Sequence, residues 1–229
     1  MMRWVWMGLV VLSLTGCAQK LGRPFDIKNL AKSDMDLITD IHIAEIRDLT
    51  EQLIVKLYKR NPRELRKVPG MTIEKRVAQL MSEKRPENGF RELGGMDGIA
   101  LLPLAFSSEF RGDRVFALMA GVTGMISASY NHQLEFFLLD DIDQQKLYNC
   151  ARNLEKVAWL LNNEKDDNGE LLLLSNGVGK NGVPNYSYER LFSQMILIQD
   201  MMAVMVADST NRHINQVVHS MASMTFFPI

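Results

Sequence analysis

The chain lacks a dominant charge. Its 229 residues carry 26 lysines and arginines against 27 aspartates and glutamates, a formal net charge of −1. A nucleic-acid binder shows a basic patch or a high isoelectric point, so no electrostatic footprint for nucleic acid is present. The chain also lacks an apolar run of the roughly 20 residues that a transmembrane helix needs. The stretches from Trp4 to Leu12 and from Val115 to Tyr130 both stop short. Cysteine is scarce, with 2 in the whole chain, Cys17 and Cys150, which excludes a disulfide-stapled scaffold. β-Branched residues in strict alternation are few, which argues against a sheet protein. No repeat of about 20 to 50 residues and no low-complexity tract is found, which removes solenoids and arrays. No serine stands in a G-x-S-x-G elbow, so the hydrolase-type nucleophile turn is missing.

What is present begins at the N-terminus. Arg3 supplies one positive charge, Trp4 to Leu12 is apolar, and Leu14-Thr15-Gly16-Cys17 follows. Charge, apolar core and small residues in that order are the pattern of a secretory signal peptide. A cysteine directly after the small residues resembles the lipobox of bacterial lipoproteins. The resemblance covers residues 1–17 and implies three things: a lipid on the Cys17 thiol, cleavage between Gly16 and Cys17, and acylation of the new amino group. Stable anchoring takes more than one acyl chain, a condition that triacylated Cys17 would meet. Ala18, in place of an aspartate, resembles the enterobacterial sorting pattern for the outer membrane, with the protein on its periplasmic face. Residues 1–16 then form the signal peptide, 17–32 the lipidated cysteine with a tether, and 33–229 the helical domain. With Cys17 acylated, Cys150 has no partner in the chain. In an oxidising periplasm it is expected to be buried as a small hydrophobe.

The rest of the pattern is helical. Ser33 before Asp34 and Asp36 reads as an N-cap with acidic residues in the first turn. Leu37, Ile41, Ile46, Leu49, Leu53 and Leu57 recur on an apolar face. This predicts an amphipathic helix of about 25 residues that stops at Asn61-Pro62. Thr72 is expected to start a second helix bearing Ile73, Val77 and Leu80. In the uncharged run Val115 to Tyr130, the residues Ala117, Gly121, Gly124 and Ala128 form a small-residue stripe. Such a stripe lets backbones approach closely. A buried core helix is the reading taken, with a membrane-dipping hairpin as the alternative. Asp140 and Asp141 are expected to cap the next helix, which runs through Leu147, Cys150 and Leu154 to Asn162-Asn163. Leu171 to Leu174 reads as a strand or a buried turn. From about Ser187 to Met224 the pattern predicts one long helix, or two joined near Asp208 to Asn211. The sum is an all-α protein, a single compact multi-helix domain after a cleaved signal peptide and short tether.

Candidate chemistry is sparse. Gly177-Val178-Gly179-Lys180-Asn181-Gly182 fits G-x-G-x-x-G. A dinucleotide site, however, needs a strand before it and a helix opening at its end, and Val183-Pro184-Asn185 follows. A glycine-rich surface loop is expected. His42 with Glu45, and His132 with Glu135, place imidazole and carboxylate three apart on a helix face. That is the reverse of the Glu-x-x-His order used in helix-bundle metal sites, and no metal site is expected. Cys150 lies on an apolar face, away from the electropositive setting that a thiolate needs. Asp208, Asn211 and Arg212 interrupt the last apolar stretch and must pair if buried. Met195, Met201, Met202, Met205, Met221 and Met224 crowd the same region, as methionines do in irregular cores and adaptable surfaces.

No cofactor is expected and no residue is assigned a catalytic role. The function expected is that of an outer-membrane-anchored periplasmic lipoprotein, a non-catalytic interaction or scaffold protein of the cell envelope. Its partners would be the membrane, through the N-terminal lipid, and an envelope protein or lipid. This predicts a sizeable exposed apolar patch, with Phe226 and Phe227 as candidates. The alternative, a lipid- or acyl-chain-binding module, predicts an internal apolar cavity between the glycine-bearing helices and the methionine-rich one. An enzyme would require Asp208, Arg212 and a histidine to converge in a pocket.

Overall fold

Long helices in this chain start where a side chain can take up the first free amides. The computed structural model describes residues 31–178, 181–215, 221 and 223–229. Among these the chain is all-α. Its helices are α1 (Asp34–Arg60), α2 (Pro62–Leu65), α3 (Ile73–Leu80), α4 (Leu101–Phe106), α5 (Arg114–Ser129), α6 (Gln144–Asn163) and α7 (Ser187–Thr210). Ser33 and Asp36 form a reciprocal capping box on α1, with Ser33 N–H donating to Asp36 Oδ2 at 2.7 Å. Thr72 Oγ1 accepts from Lys75 N–H at the start of α3, and Asp113 Oδ1 from Phe116 N–H at the start of α5.

The cap of α6 differs from expectation. It is Asp143, whose Oδ1 accepts from the Gln145 and Lys146 amides, and not Asp140 or Asp141. Asp140 is used one turn earlier. Its Oδ2 accepts from Phe137 N–H at 2.8 Å, and its own amide donates to the Phe137 carbonyl, closing a tight turn that the helix cannot include.

The uncharged run is a core helix. α5 is buried on nearly every side by α1, α3, α4 and α6. Its small-residue stripe meets a turn and not a second long helix. A Cβ on Gly124 would lie 2.6 Å from Gly98 Cα, in the 3-10 turn Gly98–Ala100, and one on Gly121 would lie 2.6 Å from a Leu102 methyl. At the N-terminal end of α5 the buried Arg114 guanidinium donates to the carbonyls of Ala105, Ser107 and Phe110. It thereby satisfies carbonyls that the C-terminus of the short α4 leaves free.

The last apolar segment is a single helix as far as Thr210. It ends in a Schellman turn. Arg212 N–H donates to the Ala207 carbonyl and Asn211 N–H to that of Asp208, while Asn211 takes φ 52°. The continuation expected over 216–220 lies outside the described residues, along with Val217, Val218 and His219. α7 runs antiparallel to α1. Lys56 Nζ donates to Ser187 Oγ near one end, while Arg212 pairs with Asp141 beside the N-terminal end of α1.

Leu171 to Leu174 is a buried turn, not a strand. The Asn61 side chain accepts from the Leu174 amide at 2.7 Å and donates to its carbonyl at 2.9 Å, and Leu172 and Leu173 are buried. The chain ends strapped along α6. Asn153 both donates to the Phe227 carbonyl and accepts from its amide, Asn149 donates to the Pro228 carbonyl, and Lys156 holds Ser223 and Thr225.

Candidate functional site

Gly16 and Cys17, the residues assigned to cleavage and lipid attachment, lie outside the described residues. Ala31 stands 14 residues after that cysteine. Its carbonyl accepts from Leu138 N–H at 3.2 Å. Lys32, at the end of the expected tether, is held by Asp40 and sits 4.6 Å over the Phe137 ring.

The buried charged side chains are hydrogen-bonded, while the Gln199 amide and the Tyr130 hydroxyl are buried without a protein partner. Arg76, 0% exposed, holds Glu92 through two nitrogens at 2.7 and 3.0 Å, reaches Asp113 at 3.2 Å, and stacks 3.8 Å above the Phe116 ring. Tyr58 Oη also donates to Asp113. Burial pushes the Asp113 carboxyl up. The Phe116 amide, the Tyr58 hydroxyl and Arg76 pull it back without cancelling that rise. Sequence reading missed this cluster, because its members are 55 and 37 residues apart along the chain. It bolts α1, α3 and α5 together. Cys150 is free and wholly buried, and burial pushes its thiol up to about 12, which makes it a poor nucleophile.

The residues singled out on the last helix do not converge. Asp208, Asn211 and Arg212 are exposed at the Schellman turn, with Arg212 reaching Asp141 at 3.5 Å. The buried polar group of that helix is instead Gln199, 0% exposed between Met195 and Met202, with neither amide atom bonded to a protein group. Its position on the apolar stripe was a visible signal, since a glutamine at a core position needs partners. His42 and Glu45 share α1. His132 and Glu135, expected on a helix, lie in the loop after α5, where His132 takes φ 61° and Nδ1 lies 3.1 Å from Ser127 Oγ. Among the described residues no group of three His, Cys, Asp or Glu side chains assembles as metal ligands.

Gly177–Val178 (β1) pairs with Pro184–Asn185 (β2) in a small exposed hairpin, while Gly179 and Lys180 lie outside the described residues. The helix after it offers no open phosphate cradle. Asn185 already accepts the Ser187 amide and Asn176 the Glu189 amide.

A cleft between α1, the end of α3 and the end of α5 has a floor of Ile43, Ile46, Leu80 and Ile126 and a volume of about 50 Å³. Small-molecule sites are several times larger, about 300 Å³ upward. Arg85 on its wall is committed to both Asp97 oxygens, Thr123 Oγ1 and the Ala120 carbonyl. Burial works against the Asp97 carboxylate, but the hydrogen bond and charge of Arg85 outweigh it and hold the carboxyl below its ordinary range.

The surface is more informative than the cleft. Phe226 packs against the core and Phe227 is half-buried, so the C-terminus does not form the open patch expected there. Exposed apolar side chains gather elsewhere. Leu197, Met201 and Val204 line the outer face of α7 at helical spacing, and Leu138 and Leu139 crown the turn before α6. α7 is long and apolar enough to cross a membrane by length and composition, but its inner face, with Phe192, Met195 and Met202, is core.

The fold thus defines the class of the protein as an all-α domain. Comparison with protein-family models, curated proteins and solved structures gives no match to the chain.

Proposed function

We propose that the protein is a lipoprotein anchored through Cys17 in the outer membrane, facing the periplasm, and that it works as a non-catalytic interaction or scaffold protein of the cell envelope. The observation that carries the reading is the Leu14-Thr15-Gly16-Cys17 motif after Arg3 and the apolar stretch. Two features support it. The buried charges of Arg76, Asp113 and Arg114 are engaged in tying elements together, and α7 presents Leu197, Met201 and Val204 to solvent over a rigid helix face. An apolar stripe of that kind suits a partner helix.

Two measurements test the reading. Labelled palmitate is incorporated into the native chain and not into Cys17→Ser, and the unaltered protein fractionates with outer membranes. Crosslinking in cells from a photoreactive residue at position 201 captures an envelope protein, whereas one at the buried position 195 does not. Absence of palmitate removes the anchor, and equal crosslinking from both positions removes the docking face.

A further inference from the structure

Turn tips favour glycine, proline, asparagine and aspartate. The turn Phe137–Asp140 has two leucines at its tip instead, Leu138 at 69% exposure and Leu139 at 96%. The tip is not loose. The Phe137 amide is fixed by Asp140, the Phe136 amide by Asp40, the Asp140 side chain by Gln133, and the Leu138 amide by Ala31. Phe136 is buried beneath it. A rigid, exposed apolar tip is thus bonded to Ala31, 14 residues after Cys17.

We infer that Leu138 and Leu139 dock the domain onto the bilayer that holds its lipid anchor, so that the turn-bearing end of the bundle faces the membrane. This rests on the lipid-anchor reading. The occupant follows from chain length. Residues 18–30 separate Cys17 from Ala31. Those residues can reach no further than about 45 Å. Ala31 and the turn bonded to it are therefore the part of the domain whose distance from the lipid the chain limits most tightly. Apolar groups that bind an interface enter it by about 5–10 Å, a depth that a projecting turn can reach without unfolding anything. Asp140, Asp141 and Asp143 follow the tip, and Lys20, Arg23 and Lys28 stand between Cys17 and Ala31, so the apolar pair, and not charge, is what the tip offers the bilayer.

The test places an environment-sensitive fluorophore on Leu139→Cys. Cys150 is buried and does not compete, and Asp167→Cys, in the exposed loop after α6, serves as the distant control. The lipidated full chain is reconstituted in phosphatidylcholine vesicles. In a second arm, the chain from Ala18 onward carries an N-terminal histidine tag and is held on nickel-chelating lipid, so that tip docking is read without acylation and without a competing thiol at position 17. The expected result is blue-shifted emission at position 139 in both arms. Nitroxide placed near the headgroups should quench more than half of that emission, and position 167 should change in neither respect. Aqueous emission at 139 on vesicles that carry the protein overturns the proposal. So does a blue shift that develops without vesicles as protein concentration rises, which assigns the tip to a second copy. Insertion that fails on phosphatidylcholine and requires phosphatidylglycerol overturns the assignment to the apolar pair. Failure of flotation in the first arm alone strikes the lipid anchor and leaves the tip to be judged by the second.

Discussion

α5 and α7 are the two most apolar of the long helices described, and the fold treats them oppositely. α5 is shut in on nearly every side, down to the 2.6 Å that a Gly124 Cβ would leave to Gly98. α7 packs one face on α6 and α1 and leaves Leu197, Met201 and Val204 outside. The difference lies in their surroundings. α5 is reached from several directions by short elements that glycines admit and by charged networks that cap its start. α7 comes last and closes one side of the bundle, so nothing in the described chain covers its outer stripe. Apolar content alone therefore does not tell a core helix from a surface one.

Five expected outcomes break or sharpen that comparison, taken from the largest effect down. Arg76→Met strips Asp113 and Glu92 of their partner at the foot of α5. Breaking a buried pair costs about 3–5 kcal/mol, and denaturant unfolding that shows less than a third of this would mean the network is idle. Met195→Ala, on the inner face of α7, is expected to cost about 2–5 kcal/mol, whereas Met201→Ala on its outer face stays within about 0.5 kcal/mol. Equal losses would erase the distinction between the two faces. Gly124→Ala is a better helix former that nonetheless overpacks Gly98. A net loss of about 1–3 kcal/mol is expected, and a rise in Tm would show that the contact is slack. Gln199→Met removes a buried amide with no protein partner and is expected to stabilise the domain by about 1 kcal/mol. A loss instead would mean that the amide is satisfied.

The smallest effect concerns pH. Asp97 titrates below its ordinary range, so in the folded state it binds its proton less readily than in the unfolded chain. The stability it lends is complete above about pH 4, the unfolded carboxyl value, and is lost as pH falls through the lower folded value. Asp97→Asn should lower Tm at pH 7 and flatten the acid limb, and an unchanged limb would count against the Arg85 pairing.

Much of the helix pattern was legible in the sequence because a cap is a matter of three or four residues. Ser33 with Asp36, Thr72, and the stop at Asn61-Pro62 all act locally. Asp143 was passed over for Asp140 and Asp141 because three aspartates stand within four positions, and only the turn at Phe137 decides which is free to cap. Asp208, Asn211 and Arg212 drew attention as polar residues in an apolar stretch. Their role is to end the helix, and the buried polar residue was Gln199, whose burial depends on neighbours far along the chain. Phe226 and Phe227 looked like a loose apolar end until Asn149, Asn153 and Lys156 on α6 were seen to hold that segment by its backbone.

That the chain is helical, and where most of its long helices begin, could be read from the sequence, because amphipathic period and capping are short-range properties of the backbone and its nearest side chains. Tertiary structure alone decided which apolar surfaces are shared and which remain outside, the Leu138-Leu139 tip and the outer stripe of α7 among them. Burial is settled by what arrives from elsewhere in the chain, and no local pattern carries that information.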